Sequence, residues 1–308
     1  MQRIHTVPQD LDGQPLQIAL YALGYTRRQI REMKRSDAIQ VDGQRRFANQ
    51  PVRAGECITL TLPRFESEAE LTDEPQLPVP EILYQDEAIA VVFKPHHLLV
   101  HPAPNSYAGN DTMQDRLRQA LHRPVHAVHR LDGDTEGVMV LALLPYAQAT
   151  LQKEMAQGRF FKSYEALVFG QVPPCGLISA PIERITPDSF TRVVRSDGKS
   201  AQTAYTRLAL YDAGPAPVSR VRLHPLTGRT HQLRVHMHYL GCPILGDPRY
   251  FTPDSQAYAR SCNLTQLCLC ASELSFFHPL TGKKMTFCHA PTFPFPAEQF
   301  PAEPSSPI

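Results

Sequence analysis

The 308-residue chain has no tryptophan and no long apolar run. Its most apolar stretch, Val138 to Leu144, falls far short of the about 18 residues that a membrane span requires. The start Met1-Gln-Arg-Ile-His lacks the apolar core of a secretory leader, so a soluble, uncleaved protein with no membrane partner is expected. Charge of one sign is missing as well. Lys and Arg number 31 against 30 Asp and Glu, a formal net charge of +1. No whole-protein field therefore favours a polyanion, and any nucleic-acid signal has to be local. Nor is there a disulfide framework: the seven cysteines are odd in number and widely spaced, which points to a reducing cytoplasm.

What is present is an ordinary globular composition, with 42% hydrophobic and 20% charged residues, in a chain long enough for two domains. Composition breaks near residue 65. The stretch Phe65 to Pro80 carries five acids and three prolines but no Lys or Arg, the pattern of an exposed linker. The last eighteen residues hold six prolines and read as a flexible tail. The expected division is 1–64, a linker at 65–80, a main domain at 81–295 and a tail at 296–308.

Before the linker, Pro15 to Leu23 and Thr26 to Arg35 are predicted as short helices, the second with Thr26 as N-cap and Ile30 and Met33 inward. Two alternating strands follow, Ala38 to Val41 ending in the Asp42-Gly43 turn signal, and Glu56 to Leu62. From Thr26 to Arg64 nine basic residues face four acids. Helical spacing makes a basic face available from Arg27, Arg31 and Lys34, or from Arg28, Arg31 and Arg35. After the linker, short apolar strands are predicted at 88–93, 126–128, 138–143, 164–168, 204–210 and 218–223, with helices at 113–121, 146–157 and 232–239. Many strands with few helices between them indicate an α+β domain on a mixed or antiparallel sheet.

Two clusters carry chemistry. His129-Arg-Leu-Asp-Gly-Asp-Thr-Glu-Gly belongs in a turn at a strand end. A calcium loop there would need an acid at its twelfth position, which is Leu143, and flanking helices that are not predicted. Asp132, next to Arg130, is the carboxylate that a guanidinium would hold ionised, ready to attack an electrophilic carbon or shuttle a proton. The second cluster runs from Pro225 to Tyr250 and contains His231, His236 and His238. Their offsets do not share a helix face, and Arg229 and Arg234 would oppose a cation, so no metal is expected. Thr230 is the candidate cap of the helix that follows.

Residues 81 to about 292 resemble the catalytic domain of the RluA-type RNA pseudouridine synthases. The resemblance rests on six segments in order: Ile82-Leu-Tyr-Gln-Asp through Lys94-Pro to Val100-His-Pro; His129-Arg-Leu-Asp with Thr135 and Gly137; Lys162-Ser-Tyr-Glu-Ala-Leu-Val-Phe-Gly; Gly198-Lys-Ser-Ala-Gln-Thr; Gly228-Arg-Thr-His-Gln-Leu-Arg-Val-His with Gly246-Asp; and Leu274 with His278-Pro. The segment ahead of the linker, with Gly24-Tyr-Thr-Arg-Arg-Gln-Ile, Ile39-Gln-Val-Asp-Gly and Val52-Arg-Ala-Gly-Glu-Cys-Ile, resembles an S4 RNA-binding domain. The resemblance implies the pseudouridine synthase fold, with a central mixed or antiparallel β-sheet flanked by helices and loops, preceded by a small α+β S4-like domain.

It also implies an isomerase that converts specific uridines in structured RNA, large-subunit ribosomal RNA or tRNA, to pseudouridine. Asp132 takes the catalytic position, acting at C1′ of a flipped-out nucleotide. Tyr164 stacks on the base and assists proton transfer, and Arg234 pairs with the aspartate. Arg130, Arg229 and His231 contact RNA near that nucleotide, while Arg27, Arg28, Arg31, Lys34 and Arg35 bind it through the S4-like face. No cofactor or metal is implied, and the simplest assembly is a monomer. Three positions depart from the family pattern: Glu136 replaces a Ser, His97 a Gly and Cys270 a His. Glu136 is expected to repel phosphate in the RNA groove. The contrasting function is a non-catalytic RNA-binding or ribosome-assembly protein on the same fold, with a metal-dependent hydrolase as a more distant alternative.

Overall fold

The computed structural model describes residues 2–35, 38–62, 64, 77–102, 111–212 and 216–293. The expected linker lies outside these residues except for 77–80, and the expected tail lies wholly outside them.

The N-terminal unit is a four-stranded antiparallel sheet in the order Gln2–Thr6, Cys57–Thr61, Ile39–Val41, Gln44–Arg45. Helices Leu16–Ala22 and Arg27–Arg35 supply its core, where Leu16, Leu20, Ile30 and Met33 meet Val41, Ile58 and Leu60. Full burial of each such side chain contributes about 1.5–3 kcal/mol. Thr26 and Gln29 close the start of the second helix reciprocally: the Gln29 amide donates to Thr26 Oγ1 (3.3 Å) and the Thr26 amide to Gln29 Oε1 (2.7 Å). Asp42 and Gly43 both take positive φ, +49° and +74°, the twist a two-residue hairpin turn needs. The strand Gln2–Thr6 was not predicted, because its alternation buries no residue fully. Instead Arg3 Nη1 ties the unit to the rest of the chain, donating to the Tyr146 hydroxyl (2.7 Å) and the Pro279 carbonyl (3.1 Å).

The rest of the chain builds a ten-stranded sheet. Its path runs Cys175–Ser179, Gln202–Tyr211, Val218–Pro225, Phe161–Phe169, Leu269–Phe277, Glu136–Ala142, Ile89–Lys94, Glu81–Gln85. Among the described residues one pair of these strands is parallel, Leu269–Phe277 with Glu136–Ala142, and the others are antiparallel, so the sheet is mixed.

Central strands are apolar on both faces, and alternation decides which helix each side chain meets. Ala90, Val92, Met139 and Leu141 share a core with Met113 and Leu117 of helix Met113–Leu121. Their neighbours Ile89, Val91, Val138 and Val140 share the opposite core with Ala147 and Leu151 of helix Pro145–Ala156. The central strand Leu269–Phe277 escaped prediction because buried Ser272 and Ser275 interrupt its apolar pattern.

One detail at the start of helix Gln232–Tyr239 corrects the expected cap. The N-cap is His231, with φ +57°, and not Thr230. The preceding turn is organised from inside the helix, where Gln232 Oε1 accepts from the Thr227 hydroxyl (2.7 Å) and the Arg229 amide (3.0 Å).

The parallel pair leaves no room for a side chain at Gly137, which lies opposite Ala271. A Cβ there would stand 2.5 Å from the Ala271 amide nitrogen and carbonyl oxygen, and φ is +128°. Gly137→Ala is therefore expected to cost about 4 kcal/mol through backbone strain plus overpacking, read as a lowered urea midpoint. Gly228→Ala, with nothing within 4 Å of the added Cβ, should change stability by no more than about 0.5 kcal/mol.

Candidate active site

One end of the central sheet gathers the titratable groups. Strand Glu136–Ala142 begins there, strands Ile89–Lys94 and Val218–Pro225 end there, and the loop 129–135 and helix Gln232–Tyr239 close over it. Asp132, Tyr164, Arg130, Arg229, His231 and Arg234 all line one cavity of about 530 Å³ at this end. Cavities of this volume suit a nucleotide-sized ligand.

The loop bearing Asp132 is stapled from below by Lys94, which is fully buried. Its ammonium donates to the carbonyls of Pro95 (2.7 Å), Leu98 (2.8 Å) and Gly133 (3.0 Å). Burial pushes its pKa down to about 7, while the charges of Asp134, Asp132 and Glu136 work the other way. The Leu98 amide adds a bond to the Gly133 carbonyl (3.2 Å), so the turn 95–98 and the loop 131–135 move as one piece.

Arg234 is buried, at 3% side-chain exposure, and its strong bonds go to Asp247. Nε and Nη2 donate to the two carboxylate oxygens at 2.7 Å each, the bidentate geometry that fixes a guanidinium plane. Asp247 also accepts from the amides of Arg249 (2.9 Å) and Tyr250 (3.0 Å), and the guanidinium lies 5.2 Å over the Tyr250 ring. With that plane set, Nη1 points to Asp132 Oδ2 at 3.7 Å. At this distance the charge is felt but no hydrogen bond forms. The Asp132 carboxylate, 26% exposed, thus keeps oxygen lone pairs available to a ligand in the cavity.

Tyr164 projects from strand Phe161–Phe169 into the same space and is 7% exposed. Burial first, then the Asp132 charge, push its phenol well above the ordinary range, so it stays a neutral O–H group with an apolar ring face. His129, also buried, lines the same cavity and accepts from the Val140 amide at Nε2 (3.3 Å). Burial, aided by Lys162, lowers its pKa to about 3.

Among the sequence-predicted residues, the geometry separates neighbours in sequence. The guanidinium that reaches Asp132 belongs to Arg234, whereas Arg130 is exposed at the cavity mouth. Arg229 is also exposed and donates through Nε to the Ser200 carbonyl (3.0 Å). The three histidines of the second cluster diverge. His236 is spent on Thr203 Oγ1 and the Ala180 carbonyl, both at 2.9 Å, and His231 bonds Tyr250 through Nδ1 (2.8 Å). Arg27, Arg28, Arg31, Lys34 and Arg35 are all exposed on the N-terminal unit. Of the two basic faces, Arg27, Arg31 and Lys34 line a shallow pocket, while Arg28 is engaged by Glu32 at 2.9 Å.

Sequence reasoning assigned no role to Lys94, Lys162, Asp247 or Tyr250. Lys94, Lys162 and Asp247 stand in the quoted segments, yet nothing local reveals that Asp247 grips an arginine thirteen residues earlier. Lys162 lines the cavity with its pKa lowered by burial.

The departures also find their places. His97 sits at φ +56°, a left-handed backbone that Gly adopts freely, and its ring meets Asp134 at 3.2 Å. The expected repulsion by Glu136 is overturned: it is fully buried, faces inward, and accepts from the Thr292 amide (2.7 Å) and hydroxyl. Cys270 stands opposite it in the parallel pair, its thiol pushed up by burial and by that carboxylate.

A family model described as RNA pseudouridylate synthase matches residues 88–239. The chain is 34% identical to the ribosomal large subunit pseudouridine synthase D of Vibrio parahaemolyticus, over 93% of this chain and 90% of that one. It is 39% identical to the dual-specificity RNA pseudouridine synthase RluA of Escherichia coli, over 69% of this chain and 94% of that one. The solved human RNA pseudouridylate synthase domain containing 1 superposes with a TM-score of 0.60 at 28% identity, covering 73% of this chain and 89% of that one. The chain belongs to the RluA family of RNA pseudouridine synthases. It is an RNA-modifying isomerase with the pseudouridine synthase fold and a small N-terminal antiparallel-sheet domain. Among the described residues no helix is long and apolar enough to cross a membrane.

His129 makes folding pH-dependent. The folded pKa lies below the ordinary 6.5, so the unfolded chain binds the extra proton and stability falls as pH drops from 6.5 toward 3. Between pH 7 and pH 5 the loss attributable to this ring is about 2 kcal/mol. In urea titrations at the two pH values, His129→Gln should lose about that much less than the wild type.

Proposed function

We propose that this enzyme isomerises specific uridines of large-subunit ribosomal RNA, with Asp132 acting at C1′ of a nucleotide drawn into the cavity. The observation that carries the reading is the open approach between Asp132 and Arg234. Arg234 Nη1 faces the carboxylate from 3.7 Å, while Asp247 takes the guanidinium's strong hydrogen bonds. A carboxylate beside a cation yet free of a hydrogen bond to it is placed for attack on C1′, or for removal of a neighbouring proton. Carboxylate chemistry at a sugar C1′ stabilises the positive charge that develops there.

In this reading Tyr164 offers its ring face to the uracil and its phenol to proton movement at C5. Arg130 and Arg229, exposed at the rim, take the phosphates on either side of the nucleotide. Isomerisation consumes no phosphate and oxidises nothing, so it needs neither cofactor nor metal. Leaving a base stack costs a few kcal/mol, which directs the enzyme to loops and single strands of folded RNA. The match along most of both chains with a ribosomal large-subunit synthase supports ribosomal RNA over tRNA. We further assign 1–64 to an S4-like RNA-binding domain and 81–295 to the catalytic domain, in a cytoplasmic monomer. The exposed Arg27, Arg31 and Lys34 would then make sequence-independent phosphate contacts.

The test uses bulk RNA labelled with tritium at uridine C5, from cells lacking this gene. Wild type should release tritium, and Asp132→Asn should release it slower by roughly 10⁴-fold or more, the scale of losing a nucleophile. Label released from the tRNA fraction alone would move the target to tRNA. Silence from both proteins, with RNA binding intact, would favour the binding-protein reading.

For the N-terminal face, Arg27→Ala, Arg31→Ala and Lys34→Ala should each weaken RNA binding across sequences. Each should also reduce the slope of log affinity against log salt by about 1. Titrations at several salt concentrations measure it, and unchanged slopes would refute the phosphate contacts.

A further inference from the structure

His231 is held in an arrangement that RNA binding at the rim does not explain. It takes φ +57°, a left-handed backbone uncommon for a residue with a side chain, and as an N-cap it makes no capping bond. Its ring is turned instead to Tyr250, with Nδ1 2.8 Å from the hydroxyl. That hydroxyl already accepts from the Arg192 amide (2.9 Å). Among the described residues no other acceptor for the phenolic proton is within hydrogen-bond distance, and the arrangement that leaves no buried proton unpaired has the Tyr250 O–H donating to His231 Nδ1. The ring proton must then sit on Nε2. Nε2 has no partner among the described residues, and His231 lines the cavity with Asp132.

Burial above all keeps the ring neutral. Burial lowers its pKa, as do Arg234 and Arg249, against the opposing pull of Asp132 and Asp247. Tyr250 itself is fixed by Asp247, which accepts from its amide (3.0 Å), and His238 packs edge-on at 6.5 Å. A neutral N–H donor is a poor choice for phosphate, which the exposed Arg130 and Arg229 suit better. It is well suited to an oxygen that gains charge only during the reaction.

We propose that His231 is a further catalytic residue, a neutral Nε2–H donor to a uracil oxygen, and that Tyr250 is the positioning residue that fixes its tautomer. The inference rests on the proposed role of Asp132. As the C1′–N1 bond breaks, its electron pair passes to the uracil, and Asp132 meets the electron deficiency at C1′. The His231 proton stays on Nε2 and its hydrogen bond strengthens with the charge on the ring. After C1′ bonds C5, the released Asp132 carboxylate accepts the C5 proton and passes it to water, water protonates N1, and the His231 bond relaxes.

Two measurements test this. Nitrogen-15 spectra of histidine-labelled free protein, with His231→Asn for assignment because Asn tolerates the left-handed backbone, should show His231 neutral and protonated at Nε2 at pH 7. Tyr250→Phe should populate both tautomers. A ring charged at pH 7, or protonated at Nδ1, overturns the proposal whatever the enzyme's reaction. Tritium release at saturating bulk RNA should fall roughly 100-fold in His231→Gly, which keeps the backbone unstrained, with KM nearly unchanged. Tyr250→Phe should lose roughly tenfold, also in kcat. A rise in KM at unchanged kcat would make His231 an RNA-binding residue only and overturn the donor role. A wild type that releases no tritium would sink the proposed reaction and the donor role with it, leaving the tautomer result standing separately.

Discussion

The buried pair of Arg234 and Asp247 is the interaction on which the site depends. Two charges taken out of water are tolerable only when their geometry satisfies both, and removing one partner from such a pair typically costs about 3–5 kcal/mol. Here the fork is saturated on one side by Asp247, whose oxygens also accept two backbone amides. This leaves one guanidinium nitrogen facing Asp132 at a distance too long to bind it. A shorter contact would have occupied a carboxylate oxygen that now faces the cavity.

The same carboxylate organises the second half of the cavity. By accepting the Tyr250 amide, Asp247 sets the ring beneath Arg234 and the hydroxyl against His231. The first half is held by Lys94 through three bonds to carbonyls. Both devices bury a charge under a loop, and both convert irregular backbone into a rigid wall without regular secondary structure. Irregular backbone can be rigid in this way only when its polar groups are paired.

Much of the fold was legible because its elements alternate cleanly. Helices such as Met113–Leu121 and Gln232–Tyr239 follow their apolar spacing to the residue, and Ile89–Lys94 declares itself by an unbroken apolar run. Strand Leu269–Phe277 did not, since its buried serines find partners on the neighbouring strands: Ser272 donates to the Ser163 carbonyl (3.5 Å) and Ser275 accepts from Thr286 (3.0 Å). Asp132, Tyr164 and Arg234 could be picked out by motif, and the fold brings them to one cavity. Asp247, Tyr250 and Lys94 could not be given roles, because their significance lies in partners that only the tertiary structure supplies. Glu136 shows the opposite failure: a charge beside the Asp132 loop is expected to face the RNA groove, whereas it opens a strand buried on both faces and bonds Thr292.

That inward carboxylate links the first residue of the strand after the catalytic loop to a residue 156 positions later. Strand Glu136–Ala142 is also completed by Leu269–Phe277, its parallel neighbour. A chain emerging from the ribosome therefore carries the loop 129–135 long before it can assemble the wall behind it. Contacts of such separation form late, because the loop they close must be ordered first. Until strand Leu269–Phe277 has emerged, strand Glu136–Ala142 lacks its parallel neighbour and Glu136 lacks Thr292.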